Sequence, residues 1–102
     1  MVAPGDNLEF QASTFFSARA KRVPNLLERV AESVKNEPNR GKLLCGTVRE
    51  LELDLDGQSF LVFLARHGNR ISLMQVFQSN ENEKIELQRK RFIHLFGKGG
   101  AR

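Results

Sequence analysis

Residues 49–78 read RELELDLDGQSFLVFLARHGNRISLMQVFQ, and the fold follows from where this stretch alternates and where it turns. Leu51, Leu53 and Leu55 alternate with Glu50, Glu52 and Asp54, the period of a strand with one buried and one wet face. Asp56-Gly57 is a strong hairpin signal, because a two-residue turn needs residues that accept positive φ. Phe60–Ala65 is apolar at both parities, as a central strand would be. His67-Gly68-Asn69 forms the next turn. In Ile71–Phe77, strict alternation sets Ile71, Leu73, Gln75 and Phe77 opposite Ser72, Met74, Val76 and Gln78. Connections this short predict a three-stranded antiparallel meander.

Upstream, the period is helical. Asn7–Gln11 predicts a short strand, with Leu8 and Phe10 on one side. Ser13 or Thr14 can cap a first helix carrying Phe15, Phe16, Ala18, Ala20 and Val23, which Pro24 breaks. Asn25 and Glu28 have capping-box spacing for a second helix. Leu26, Leu27, Val30, Ala31 and Val34 form its apolar face. Residues 36–41 are a loop by composition. Downstream, Asn80 and Glu83 again have capping-box spacing. A last helix over 81–96 brings Ile85, Phe92 and Phe96 to one side, with Gly97 as its stop. The predicted order is β-α-α-β-β-β-α. This is an α+β domain over 7–96, its antiparallel sheet packed on two N-terminal helices and a basic C-terminal helix, with tails at 1–6 and 97–102.

At 102 residues the chain is one domain by length. A lone cysteine, Cys45, excludes an internal disulfide. Met1–Asp6 has neither the basic nor the apolar region of a secretory leader, and no apolar run approaches the roughly 20 residues of a membrane span. A cytoplasmic location, with no membrane partner, is expected. The net charge is +4. Residues 84–102 hold six bases (Lys84, Arg89, Lys90, Arg91, Lys98, Arg102) against one acid, Glu86, a net of +5, so the rest is at −1. A basic block of this kind suits a polyanion or an acidic protein, or is a solvated helix end.

Four stretches carry a resemblance. Leu8-Glu9-Phe10 followed by Thr14-Phe15-Phe16, the segment Gly46–Leu53, the segment Gly68–Phe77, and Asn80-Glu81-Asn82-Glu83-Lys84 are together similar to the RelE/ParE superfamily of bacterial toxins, nearest its HigB and phage-derived HigB-like branches. The likeness covers about Asn7 to Phe96. It implies the toxin of a type II toxin–antitoxin pair, neutralised by a cognate antitoxin protein. In the HigB and RelE branches such a toxin is a ribosome-dependent mRNA endonuclease. In the ParE branch it inhibits DNA gyrase by binding. A fold relative that is not toxic and binds nucleic acid or protein is a third reading.

Metal-free RNA cleavage needs a base, an acid and cations around one phosphate. The candidate catalytic residues are Arg49, Arg66, His67 and Lys84. Arg49 lies on the parity of Leu51 and is either a rim residue or a phosphate clamp. Arg66 and His67 share a hairpin with Arg70. His67 is preferred to His94 for proton transfer, because His94 sits among Phe92, Leu95 and Phe96. Lys84 offers a cation or a solvated helix start. Lys42, Arg70, Arg89, Lys90 and Arg91 are candidates for holding the nucleic-acid backbone. The chain departs from the family pattern in having no Tyr, and no His or Arg between Ile71 and Lys84; Phe60-Leu61 stands where Tyr-Arg is common. Cys45, His67 and His94 lack zinc-ligand spacing, so neither metal nor cofactor is expected.

Overall fold

The computed structural model describes residues 8–37 and 40–97. Its elements are β1 (Glu9–Ala12), α1 (Thr14–Ala20), α2 (Leu26–Asn36), β2 (Lys42–Cys45), β3 (Val48–Leu55), β4 (Gln58–His67), β5 (Arg70–Gln78) and α3 (Asn82–Phe92). One π-helical turn, Ile93–Gly97, follows α3. The protein is thus mixed α+β, with three α-helices among the described residues and a sheet of five described strands in the order β1-β5-β4-β3-β2. Asn7 and the tails at 1–6 and 98–102 lie outside the described residues.

The meander forms where the period changes. β3 and β4 pair antiparallel with Leu51 opposite Val62, and β4 and β5 pair with Val62 opposite Val76. Asp56 and Gly57 take φ of 53° and 80°, the curl that lets two residues join right-twisted strands.

Two expectations about the sheet are corrected. Lys42–Cys45 lies outside the predicted meander, yet forms a fourth meander strand along β3. It is four residues long, and its register slips between Leu43 and Cys45, so it shows no usable alternation. The sheet is also not wholly antiparallel. β1 lies parallel to β5, with Phe10 opposite Ile71. Local pattern carries no strand direction; the route through α1 and α2 sets it.

A third correction concerns β5. Leu64 pairs with Leu73 but Phe63 pairs with Gln75, which leaves Met74 as an extra residue. Alternation reverses there. Ile71, Leu73 and Val76 join the core under α1 and α2, while Met74 and Phe77 pack toward α3.

The sheet therefore separates two cores. On one face Phe16, Leu26, Val30 and Val34 pack on Leu51, Leu53, Phe60, Val62 and Leu64. On the other, Ile85 and Phe92 of α3 pack on Val48, Leu61, Phe63 and Ala65. Phe63 meets Phe92 at 5.2 Å between ring centres and Phe77 nearly edge-on at 6.2 Å. β4, apolar at both parities, is buried from Phe60 to Ala65 because it serves both cores.

Three helix ends differ from expectation. Ser13 caps α1: its Oγ accepts the Phe16 N–H at 3.1 Å and donates to the Met74 carbonyl at 2.6 Å. Asn25 makes no side-chain cap; it turns left-handed, at φ 67°, so its side chain is not aimed at the helix start. The box between Asn80 and Glu83 is also absent. Glu81 stands at the N-cap position, and its carboxylate accepts the Gln78 N–H at 2.7 Å. The α-helical part of α3 ends at Phe92, and the expected stretch to 96 is completed by the π-helical turn, which keeps Phe96 beside Phe92 at 6.0 Å between ring centres while leaving it 43% exposed. Among the described residues, no helix is long and apolar enough to cross a membrane.

Candidate functional site

The candidate cations fall into three groups, set by their strands. The first lies at the β4–β5 hairpin. His67 pairs with Arg70, and Arg66 with Ile71, so these residues do share one end of the sheet. Arg49 pairs with Leu64, two residues from Arg66 on the same parity. That makes Arg49 and Arg66 diagonal neighbours on the face that carries α1 and α2. His67 and Arg70 have the opposite parity and project from the α3 face. Both arginines are held by backbone: Arg49 donates to the Gly41 carbonyl at 3.2 Å, and Arg66 Nε to the Gly68 carbonyl at 2.9 Å. Gly41 is required at its position. Its φ is 103°, and a β-carbon there would meet the Glu50 carbonyl oxygen at 2.8 Å.

The second group lies in a groove of about 460 Å3 between α3 and β2–β3. Arg89 reaches down from α3 and grips Glu50 in a two-pronged pair, Nε and Nη2 each 2.7 Å from a carboxylate oxygen. It also bonds Glu86, one turn back on α3. The Glu50 hydrogen bonds, with Glu86, raise the Arg89 pKa further still, against the opposing effect of burial. Glu50 is only 8% exposed, although the alternation of β3 places it on the wet side. That face is wet only until α3 covers it. Sequence reasoning missed this pair. Glu50 looked like any other acid of an exposed face, and Arg89 like one of three helix-end bases. Lys42 borders the same groove opposite Glu50 and is exposed.

The third group is at the start of α3. Glu81 accepts Arg19 of α1 at 3.1 Å and Lys84 at 3.3 Å. Burial alone would raise the Glu81 pKa, but the Gln78 N–H and the charges of Arg19 and Lys84 together hold it below the ordinary value. Lys90 and Arg91 are exposed on α3, with no ion-pair partner among the described residues.

The four candidate catalytic residues therefore do not meet. Arg49 and Arg66 share one face, and His67 lies on the other. Lys84 follows the far end of β5 and lines a groove with Gln75, Val76 and Phe77, beyond the middle of that strand from the hairpin. Nor is Arg89 free to hold a phosphate, since two carboxylates already engage it. Among the described residues, no cluster of three His, Cys, Asp or Glu could ligate a metal ion.

In comparisons with known proteins, no family model matches the chain, and no curated protein matches it.

Proposed function

We propose that this chain is a toxin-like domain of the RelE/ParE type that acts by binding a macromolecular target, in the manner of the ParE branch, and not by cutting RNA. The observation that carries this reading is the dispersal of Arg49, Arg66, His67 and Lys84 over two faces and both ends of the sheet. General acid–base cleavage needs its groups within hydrogen-bond reach of one phosphate, and a separation of more than half of β5, with His67 on the opposite face from Arg49 and Arg66, denies that. The four resembling stretches and the basic C-terminal segment support the toxin assignment. The same reading places the chain in the cytoplasm with a cognate antitoxin as its partner and DNA gyrase as the target class.

One observation favours the ribosome-dependent mRNA endonuclease instead: Arg49 and Arg66 do share a face and an end, as a phosphate clamp would. Inducible expression in a bacterial host, alone and with the neighbouring reading frame, separates the two. Growth arrest with intact mRNA and inhibited supercoiling is expected. New mRNA 5′ ends inside translated codons, lost in Arg49→Ala or Arg66→Ala, would overturn the binding reading.

A further inference from the structure

β1 pairs with β5 only from Arg70 to Leu73. Beyond that point the edge of β5 is uncovered by strand, and α1 crosses it, anchored by Ser13 at the Leu73 and Met74 carbonyls. α3 lies on the other side of the same edge. Between the two helices runs a groove, about 760 Å3 in its apolar part and about 440 Å3 in its basic part; the two share Phe15 and Gln75. From α3, Lys84, Gln88 and Phe92 line it at four-residue spacing, one helical stripe. From α1 come Phe15 and Arg19, one helical turn apart, and Arg22 joins them from the turn that follows the helix.

Phe15 is 69% exposed at the wall of this groove, the most exposed large apolar residue among those described. Leaving an aromatic in water gains nothing for the fold, and its neighbours Met74 and Phe92 make the floor apolar as well. At the basic end, Arg19 and Lys84 share a single carboxylate, Glu81. Arg22 is exposed and has no ion-pair partner among the described residues. Three cations thus face one anion.

We infer that this groove docks an acidic amphipathic segment of a partner protein, an apolar side chain seated between Phe15 and Phe92 and carboxylates set against Arg19, Arg22 and Lys84. The apolar floor disfavours a nucleic-acid backbone, which offers no side chain to fill it. The excess of cations at one end disfavours a basic segment. The inference does not depend on the toxin reading, since it uses neither the hairpin cations nor any target.

The test uses the full chain and two synthetic helices. One has leucines on one face and glutamates on the other; its counterpart carries lysines for the glutamates. Fluorescence anisotropy should detect binding of the glutamate helix alone, weakening as salt rises. Amide shifts in an NMR titration should centre on Phe15, Met74 and Gln88. Phe15→Ala and Arg22→Glu, both at exposed positions, should each weaken binding about tenfold, and Lys42→Glu in the other groove should leave it unchanged. Absent binding of the glutamate helix, equal binding of both helices, indifference to Phe15→Ala and Arg22→Glu, or shifts centred on β2 would overturn the assignment. So would self-association of the chain that Phe15→Ala abolishes, since a second copy would then be the occupant.

Discussion

The two faces of the sheet are closed by different means. Under α1 and α2 the closure is apolar, with Phe16, Val30 and Val62 fully buried among twelve core residues. Under α3 only Ile85 and Phe92 come down from the helix, and the remaining closure is ionic, Arg89 on Glu50, with Glu86 of the same helix holding Arg89 from its other side. Apolar burial has no directional demand and stabilises in proportion to area. An ion pair under a helix gives back part of its attraction as desolvation, yet it fixes where the helix sits. The first face is where the chain is held folded. On the second, α3 is held in place.

Three measurements would break or sharpen that contrast. Phe16→Ala empties the centre of the apolar face and should cost about 3–5 kcal/mol in denaturant unfolding. A cost below that of Phe92→Ala would reverse the ranking of the two faces. Glu50→Ala leaves Arg89 with Glu86 alone and should cost about 2 kcal/mol, less than breaking a fully buried pair because Arg89 keeps about a third of its side chain in water. Its distinctive sign would be faster hydrogen exchange in α3 with α2 unchanged. Uniform loss of protection would show that the pair supports the whole sheet.

The smallest effect concerns the N-terminus of α3. Glu81 has a lowered pKa in the folded protein, so its contribution is present above its ordinary value of 4.5 and is lost as pH falls through the lowered value. Glu81→Gln should therefore cost about 1 kcal/mol or less near neutrality, and its unfolding curve should converge with that of the unaltered protein in acid. A gap that persists at low pH would assign the effect to packing.

What could be read from residues alone was whatever repeats locally. The alternation through Leu51, Leu53 and Leu55, the Asp56-Gly57 turn and the i, i+4, i+8 face of Leu26, Val30 and Val34 all appear in the fold. What escaped depends on distant partners. Lys42–Cys45 is a strand because β3 lies beside it, and Glu50 is buried because α3 crosses it. Asn25 has the residue type and spacing of a cap but not the backbone for one. For the candidate site, the grouping of Arg66, His67 and Arg70 was legible, since a two-residue turn joins them. Their division between two faces, and the distance to Lys84, needed the register of the whole sheet.

The extra residue at Met74 has a consequence for descent as well as for packing. β5 carries two frames in one strand, so insertion or loss of a single residue there acts as an inversion of everything after it. A relative without Met74 would need its apolar positions beyond this point shifted by one to keep Val76 inward and Phe77 toward α3. Aligned letter by letter, the second halves of two such strands would look unrelated while occupying the same space. In this small domain, divergence of sequence can therefore outrun divergence of shape through one residue.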